Sequence, residues 1–237
     1  MRKYSFSRIT AVFLAFVASL AGGQETQAPT SSFPLTSLRG LAAMNGKAEI
    51  TTYHGRPALH LVPLPDHQTS DEAILAILSE RDFKDGTIEV EVAGSRRPDS
   101  APDDRGFIGV AFRVQPEGSK FEYIYLRPLN GRADDQLRRN HSVQYSSHPD
   151  FPWNRLRAES PGQYEPYVDL EAGVWTKMKI VVSGTKASLY VNDAPQPCLI
   201  VNDLKLGETH GQIALWSHTS TDGYFFNLTV REAVNRK

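Results

Sequence analysis

The chain has one cysteine, Cys198, in 237 residues. No intrachain disulfide can staple it, so the fold must be carried by an apolar core. Cys198 sits in the apolar run PCLIV and reads as a buried thiol. An excess of either charge is also missing: 26 Lys and Arg oppose 27 Asp and Glu. That balance removes the electrostatic case for nucleic acid or an anionic membrane surface as partner. No apolar run approaches the roughly 20 residues of a membrane-spanning helix. The G-x-S-x-G elbow, the phosphate loop and the dinucleotide fingerprint are all absent. His141 and His148 lack metal-ligand spacing, so neither zinc nor another metal or cofactor is expected. The adjacent pair Asp134 and Asp135 could reach one calcium ion, but pairing with Arg132, Arg138 or Arg139 is the favoured reading.

What is present begins with an export signal. Arg2, Lys3 and Arg8 precede an apolar stretch, residues 9–21, that is too short to span a bilayer and ends in small residues. Residues 1–23 read as a cleaved signal peptide without a lipidation cysteine, so no stable membrane insertion follows cleavage. An exported, disulfide-free protein fits a bacterial periplasm or exterior. Residues 24–36 are rich in Pro, Ser and Thr and read as a flexible leader. Residues 37–237 form one domain.

Strand signals dominate that domain, at 48–53, 58–62, 73–78, 87–92, 107–114, 121–129, 176–182, 187–191, 198–201, 212–217 and 224–230. Turn residues such as Asp85-Gly86, Ser183-Gly184 and Asn192-Asp193 separate them. The pattern predicts an all-β, two-sheet antiparallel jelly-roll sandwich. Alternation then sorts side chains by face. Ile108, Val110, Phe112, Val114, Ile124, Leu126, Ile213 and Leu215 point inward. The opposite set collects Glu89, Glu91, Arg113, Tyr123, Tyr125, Arg127, Trp216, His218 and Asn227, with Gly109 and Ala111 leaving room above the sheet. In the last strand Tyr224, Phe226, Leu228 and Val230 are placed opposite Asn227 and Thr229. Aromatic rings stack on pyranose faces and charged planar groups bind hydroxyls, so a concave face of this composition suits a carbohydrate ligand.

The segments GVWTKMKIVVSGTKASLYVND and GQIALWSHTSTDGYFFNLTV, with GFIGVAFRV and YIYLRP before them, resemble concanavalin A-like sandwiches of the laminin G type. They look most like the bacterial 3-keto-disaccharide hydrolase-like domains. The resemblance spans residues 87–230 apart from one insertion. It implies carbohydrate association, by plain binding or by hydrolysis of oxidised glycosides. Glucanases of that superfamily carry E-x-D-x-x-E on a strand. Glu89 and Glu91 occupy the first two acidic positions, and Gly94 stands where the third glutamate would be. Carboxylates two residues apart on a strand lie roughly 6.5–7 Å apart, within the range of about 6.5–9.5 Å that inverting glycosidases use.

The insertion, residues 130–168, is rich in arginine, proline and aromatics. Unsupported loops of this length are functional or disordered, and its rings need burial. It is therefore expected to be an ordered excursion over the sheet, starting just after Arg127. The candidate site comprises Glu89 and Glu91 as catalytic acid and base, with Arg113, Tyr123, Tyr125, Arg127, Asp134, Asp135, Arg139, His141, Trp216, His218 and Asn227 contacting ligand. A glycan-binding protein, a glycoside hydrolase and a structural or adhesion module of the cell envelope all remain open.

Overall fold

A computed structural model of the chain describes residues 1, 30–65 and 72–233. The expected signal segment, beyond Met1, and residues 24–29 of the leader lie outside the described residues. The described chain forms fourteen strands in two antiparallel sheets. In chain order they are β1 (Thr30–Phe33), β2 (Leu41–Met44), β3 (Gly46–Tyr53), β4 (Arg56–Pro63), β5 (Ala73–Leu78), β6 (Gly86–Arg96) and β7 (Ile108–Val114). They continue with β8 (Phe121–Leu126), β9 (Val143–His148), β10 (Thr176–Ser183), β11 (Lys186–Val191), β12 (Leu199–Val201), β13 (Gln212–His218) and β14 (Thr221–Glu232). The larger sheet runs β12-β11-β10-β6-β14-β4-β3, with β1 also paired to β14. The smaller sheet runs β2-β5-β13-β7-β8-β9.

All eleven strands expected from alternation are present. The core lies between the sheets and takes one side chain in two from each strand, for example Ile88, Val90 and Val92 from β6 and Ile108, Val110 and Phe112 from β7. A second apolar cluster covers the outer face of the smaller sheet, joining Leu75, Ala111, Val114, Phe121, Tyr125, Ala214 and Trp216. Val114, expected between the sheets, belongs to this outer cluster.

Three strands were not anticipated. Part of the expected leader, Thr30–Phe33, is β1, pairing Thr30 with Arg231 and Phe33 with Leu228. Its short TSSF sequence carries too little apolar pattern to signal a strand. Leu41–Met44 forms β2 against β5. Within the insertion, VQYSSH forms β9, which extends the smaller sheet beyond β8. Its sequence alternates apolar with small polar residues, so periodicity alone left it weak.

The insertion is ordered by what it covers. Backbone N–H groups of Val143 and Tyr145 donate to the carbonyls of Pro166 and Tyr164, so the returning chain caps the free edge of β9. The Tyr145 hydroxyl donates to the buried Glu122 carboxylate at 2.7 Å and accepts from Lys205 N at 2.8 Å. Tyr164 donates to Asp203 at 2.6 Å. Three short helices complete the segment: α1 (Pro128–Gly131), α2 (Gln136–Arg139) and α3 (Trp153–Glu159).

A candidate saccharide cleft on the smaller sheet

The register of the smaller sheet builds an aromatic floor. One row across it reads Leu75, Trp216, Gly109, Tyr125, Gln144, and the next reads Ile77, Ala214, Ala111, Tyr123, Ser146. Gly109 separates the two largest rings. A β-carbon there would meet the Ile124 carbonyl and the Tyr125 backbone and Cβ. Its absence lets Tyr125 and Trp216 stack with centroids 4.8 Å apart, so the space expected above Gly109 is filled by rings rather than open. Tyr123 stacks on Tyr125 at 5.5 Å, and Phe107 meets Tyr125 edge-on at 6.1 Å. Burial raises the pKa of the Tyr125 hydroxyl, with Arg127 opposing, so it stays a neutral hydrogen-bonding group.

Arg127, at the end of β8, and the insertion together supply a wall. Arg127 is buried, donating from Nη2 to the Tyr125 hydroxyl and to Gln144 Oε1, each at 3.1 Å. Glu165, also buried, forms a bidentate pair with Arg157, with Nε–Oε1 at 2.8 Å and Nη2–Oε2 at 2.7 Å. The same carboxylate lies 3.7 Å from Arg127 Nη1 and 3.5 Å from His141 Nε2. Burial holds the His141 pKa below its ordinary value, with Glu165 opposing and Arg157 and Arg127 reinforcing. Trp153, at the start of α3, lies under the Arg157 guanidinium at 4.6 Å and remains 42% exposed.

Floor and wall enclose a cleft of about 970 Å³, at the upper end of the roughly 300–1,000 Å³ usual for small-molecule sites. Its rim includes Glu72, Asp103, Asp104, Arg105 and Arg138. Three buried polar atoms of its lining residues have no partner among the described residues: Trp216 Nε1, Arg138 Nε and Asn130 Oδ1.

Of the expected site residues, Tyr123, Tyr125, Arg127, His141, Trp216 and His218 converge on this cleft. Glu89 and Glu91 do not. Their phase was assigned correctly, but β6 belongs to the larger sheet, so they point away from the core on the opposite side of the sandwich. There Glu89 pairs with Lys177 at 3.2 Å and Glu91 with Arg56 at 2.6 Å. Arg113 is also elsewhere. A register shift between β7 and β13 and a φ of +54° at Arg113 break the alternation, and the side chain turns into the protein. Fully buried, it donates to the carbonyls of Lys84, Gly184 and Gly207 and to Asp85.

Asn227 points outward as expected and fails for the same reason as Glu89 and Glu91, because β14 belongs to the larger sheet. It has φ +51° at a bulge in β14, lies on the larger sheet and is exposed. That bulge also reverses the phase before it, so Tyr224 and Phe226 face outward and Phe225 fills the core. Asp134, Asp135 and Arg139 do not line the cleft. Asp135 caps α2, accepting from Arg138 N at 3.0 Å, instead of pairing with an arginine side chain. Arg139 reaches the Tyr167 hydroxyl at 3.3 Å, and Arg132 pairs with Asp169 and Glu171. Among the described residues no group of three His, Cys, Asp or Glu is placed to hold a metal ion. Sequence reasoning missed Glu165 and Arg157, whose partnership across the insertion leaves no periodic trace.

Comparison with known proteins bears on the fold. No family model matches this sequence, and no curated protein matches it either. Solved structures do. The carbohydrate-binding module CBM66 from Bacillus subtilis aligns with a TM-score of 0.54 at 14% identity, over 81% of this chain and 95% of the module. A Bacillus subtilis protein of unknown function with a galectin-like fold gives 0.56 at 14% identity, over 89% and 99%. The β-glucanase of Bacillus licheniformis gives 0.51 at 11% identity, over 86% and 98%.

The fold is a concanavalin A-like, galectin-like jelly roll. At such identities the likeness extends to architecture alone. These matches do not place the chain among the 3-keto-disaccharide hydrolase-like domains.

Proposed function

We propose that the protein binds an oligosaccharide in the cleft over the smaller sheet, outside the cytoplasm. The observation that carries this reading is the union of an aromatic floor, Tyr123, Tyr125 and Trp216, with a guanidinium wall, Arg127 and Arg157, in one cleft. Rings offer faces for C–H-rich sugar surfaces, while fixed donors bind hydroxyls. Trp216 Nε1 and Arg138 Nε supply hydrogen-bonding capacity that no group among the described residues uses. That carbohydrate-binding and glucanase proteins share the architecture supports the reading by analogy.

Binding is preferred to hydrolysis because Glu89 and Glu91 lie on the other sheet and cannot serve this cleft as acid and base. The likeness of the C-terminal strands to 3-keto-disaccharide hydrolase-like domains keeps oxidised disaccharides among the ligands to be tried. Export rests on the charged, then apolar, N-terminal sequence. Sequencing the exported form should find it starting near Gly22 or Gln24; recovery of Met1 would refute export with cleavage. Among the described residues no helix is long and apolar enough to cross a membrane.

The test is calorimetric titration against neutral, acidic and 3-keto oligosaccharides, repeated with Trp153→Ala and Tyr123→Ala. At least one saccharide should bind. Each variant should lose about 1–2 kcal/mol, the scale of one ring–sugar contact. No binding across the panel at millimolar concentration, or unchanged affinity in both folded variants, would contradict the reading.

A further inference from the structure

Four arginines, Arg105, Arg127, Arg138 and Arg157, stand around the cleft with four carboxylates, Glu72, Asp103, Asp104 and the wall's Glu165, but the two signs are unevenly placed. Arg138 and Arg157 line the cleft from the insertion and Arg127 from the end of β8, and the carboxylate bonded to that wall, Glu165, is shared between Arg157, Arg127 and His141. Arg138 makes no side-chain ion pair among the described residues, and its Nε is buried without a partner. Arg105 joins the lining from the β6–β7 loop, where its Nη1 donates to the Asp104 carbonyl at 3.3 Å. Burial lowers the Arg105 pKa, and repulsion from Arg138 and Arg127 adds to it, while Asp103 and Asp104 oppose. The cleft also carries Glu72 and the imidazoles of His148 and His218. Asp103 and Asp104 adjoin Arg105 in sequence and more than offset its charge, so the cationic surplus is confined to the opposite wall. That wall, built by Arg127 and the insertion, holds three guanidinium groups to one carboxylate.

We propose that the cleft takes an acidic saccharide, a uronate-containing oligosaccharide whose carboxylate lies against Arg138 while its rings lie over the aromatic floor. This rests on the carbohydrate-binding reading and narrows it to a substrate class. A carboxylate matches the planar guanidinium fork, and its charge relieves the repulsion that a neutral sugar would leave in place. A wall built for hydroxyls alone would be served by amides and hydroxyl groups, without the cost of holding guanidinium groups near one another.

The experiment compares matched pairs on the full chain: gluco-, manno- and galacto-oligosaccharides of three units against the corresponding glucuronate, mannuronate and galacturonate trimers. Each is titrated calorimetrically at low and at high sodium chloride. In at least one pair the uronate should bind about 10- to 100-fold more tightly than its neutral partner, the scale of a charge-assisted bond. That preference should shrink with salt and largely vanish in Arg138→Gln, with Arg138→Lys in between. Neutral sugars binding as well as their uronates in every pair would overturn the inference and leave the carbohydrate reading standing. Silence from both members of all pairs would overturn both. A uronate preference that survives in folded Arg138→Gln would remove Arg138 from the proposal and overturn it as stated. Should Arg138→Gln fail to fold, the salt series on the unaltered chain decides: a salt-independent preference contradicts the ion-pair account.

Discussion

Replacing Arg113 by Met separates its structural role from the ligand-binding role that strand alternation suggests. Arg113 is fully buried and makes five hydrogen bonds. They join three turns: the one entering β6 at Lys84 and Asp85, the β10–β11 hairpin at Gly184, and the segment before β13 at Gly207. Asp85 in turn accepts from Gly184 N at 2.8 Å, so the guanidinium is the hub of a small network. Adding charge-assisted bonds one by one would overshoot, because water replaces some on unfolding. Loss of one partner from a buried ionic network costs about 3–5 kcal/mol, against total stabilities of about 5–15 kcal/mol. A loss near 4 kcal/mol lowers the melting temperature by about 8–16 °C for a domain of this size. Urea unfolding followed by tryptophan fluorescence should show the midpoint fall. Saccharide affinity, measured well below that midpoint, should be unchanged, since Arg113 does not reach the cleft. Affinity lost with stability retained would refute this assignment and return Arg113 to a ligand-binding role.

Gly109→Ala should cost about 1–3 kcal/mol and weaken saccharide binding, because its β-carbon meets backbone and displaces the Tyr125–Trp216 stack; a neutral thermal melt would contradict this. Glu165→Gln removes the carboxylate that neutralises Arg157 and Arg127 and should destabilise by about 3–5 kcal/mol, a loss that calorimetry would detect directly. The charge changes Glu89→Gln and Glu91→Gln touch half-exposed pairs on the other sheet. They should shift stability by no more than about 1 kcal/mol and leave ligand affinity intact; abolished binding or turnover would restore them to the site. His141 has a folded pKa below its ordinary 6.5, so its contribution is present above that value and is lost as pH falls through it. The melting temperature should therefore drop more between pH 7 and 5 in the unaltered protein than in His141→Gln, and parallel curves would count against it.

Alternation carried the fold because most strands bury one face against the other sheet, so Ile88, Ile108 and Ile124 announce themselves at period two. It also put Tyr123, Tyr125 and Trp216 on a common outer face. It failed where the period breaks locally: Arg113 sits at a bulge with positive φ and turns inward, and the bulge at Asn227 puts Tyr224 and Phe226 on the face opposite to the one expected. It failed for Glu89, Glu91 and Asn227 for another reason. Phase assigns a face within a sheet and says nothing of which sheet a strand joins, and β6 pairs with β10 and β14. The strand β9 was hidden because Ser146 and Ser147 dilute its pattern. Glu165 was illegible because its partners Arg157, Arg127 and His141 are brought to it only by the path of the folded insertion.

The central claim is that saccharide binds over the smaller sheet. A crystal structure of the protein soaked with the tightest-binding oligosaccharide from the titration panel tests it most directly. The account predicts sugar rings against Trp216, Tyr125 and Tyr123, with polar contacts to the Arg127, Arg138 and Arg157 wall. Sugar seated on the larger sheet, near Glu89, Glu91 and Trp175, would contradict it.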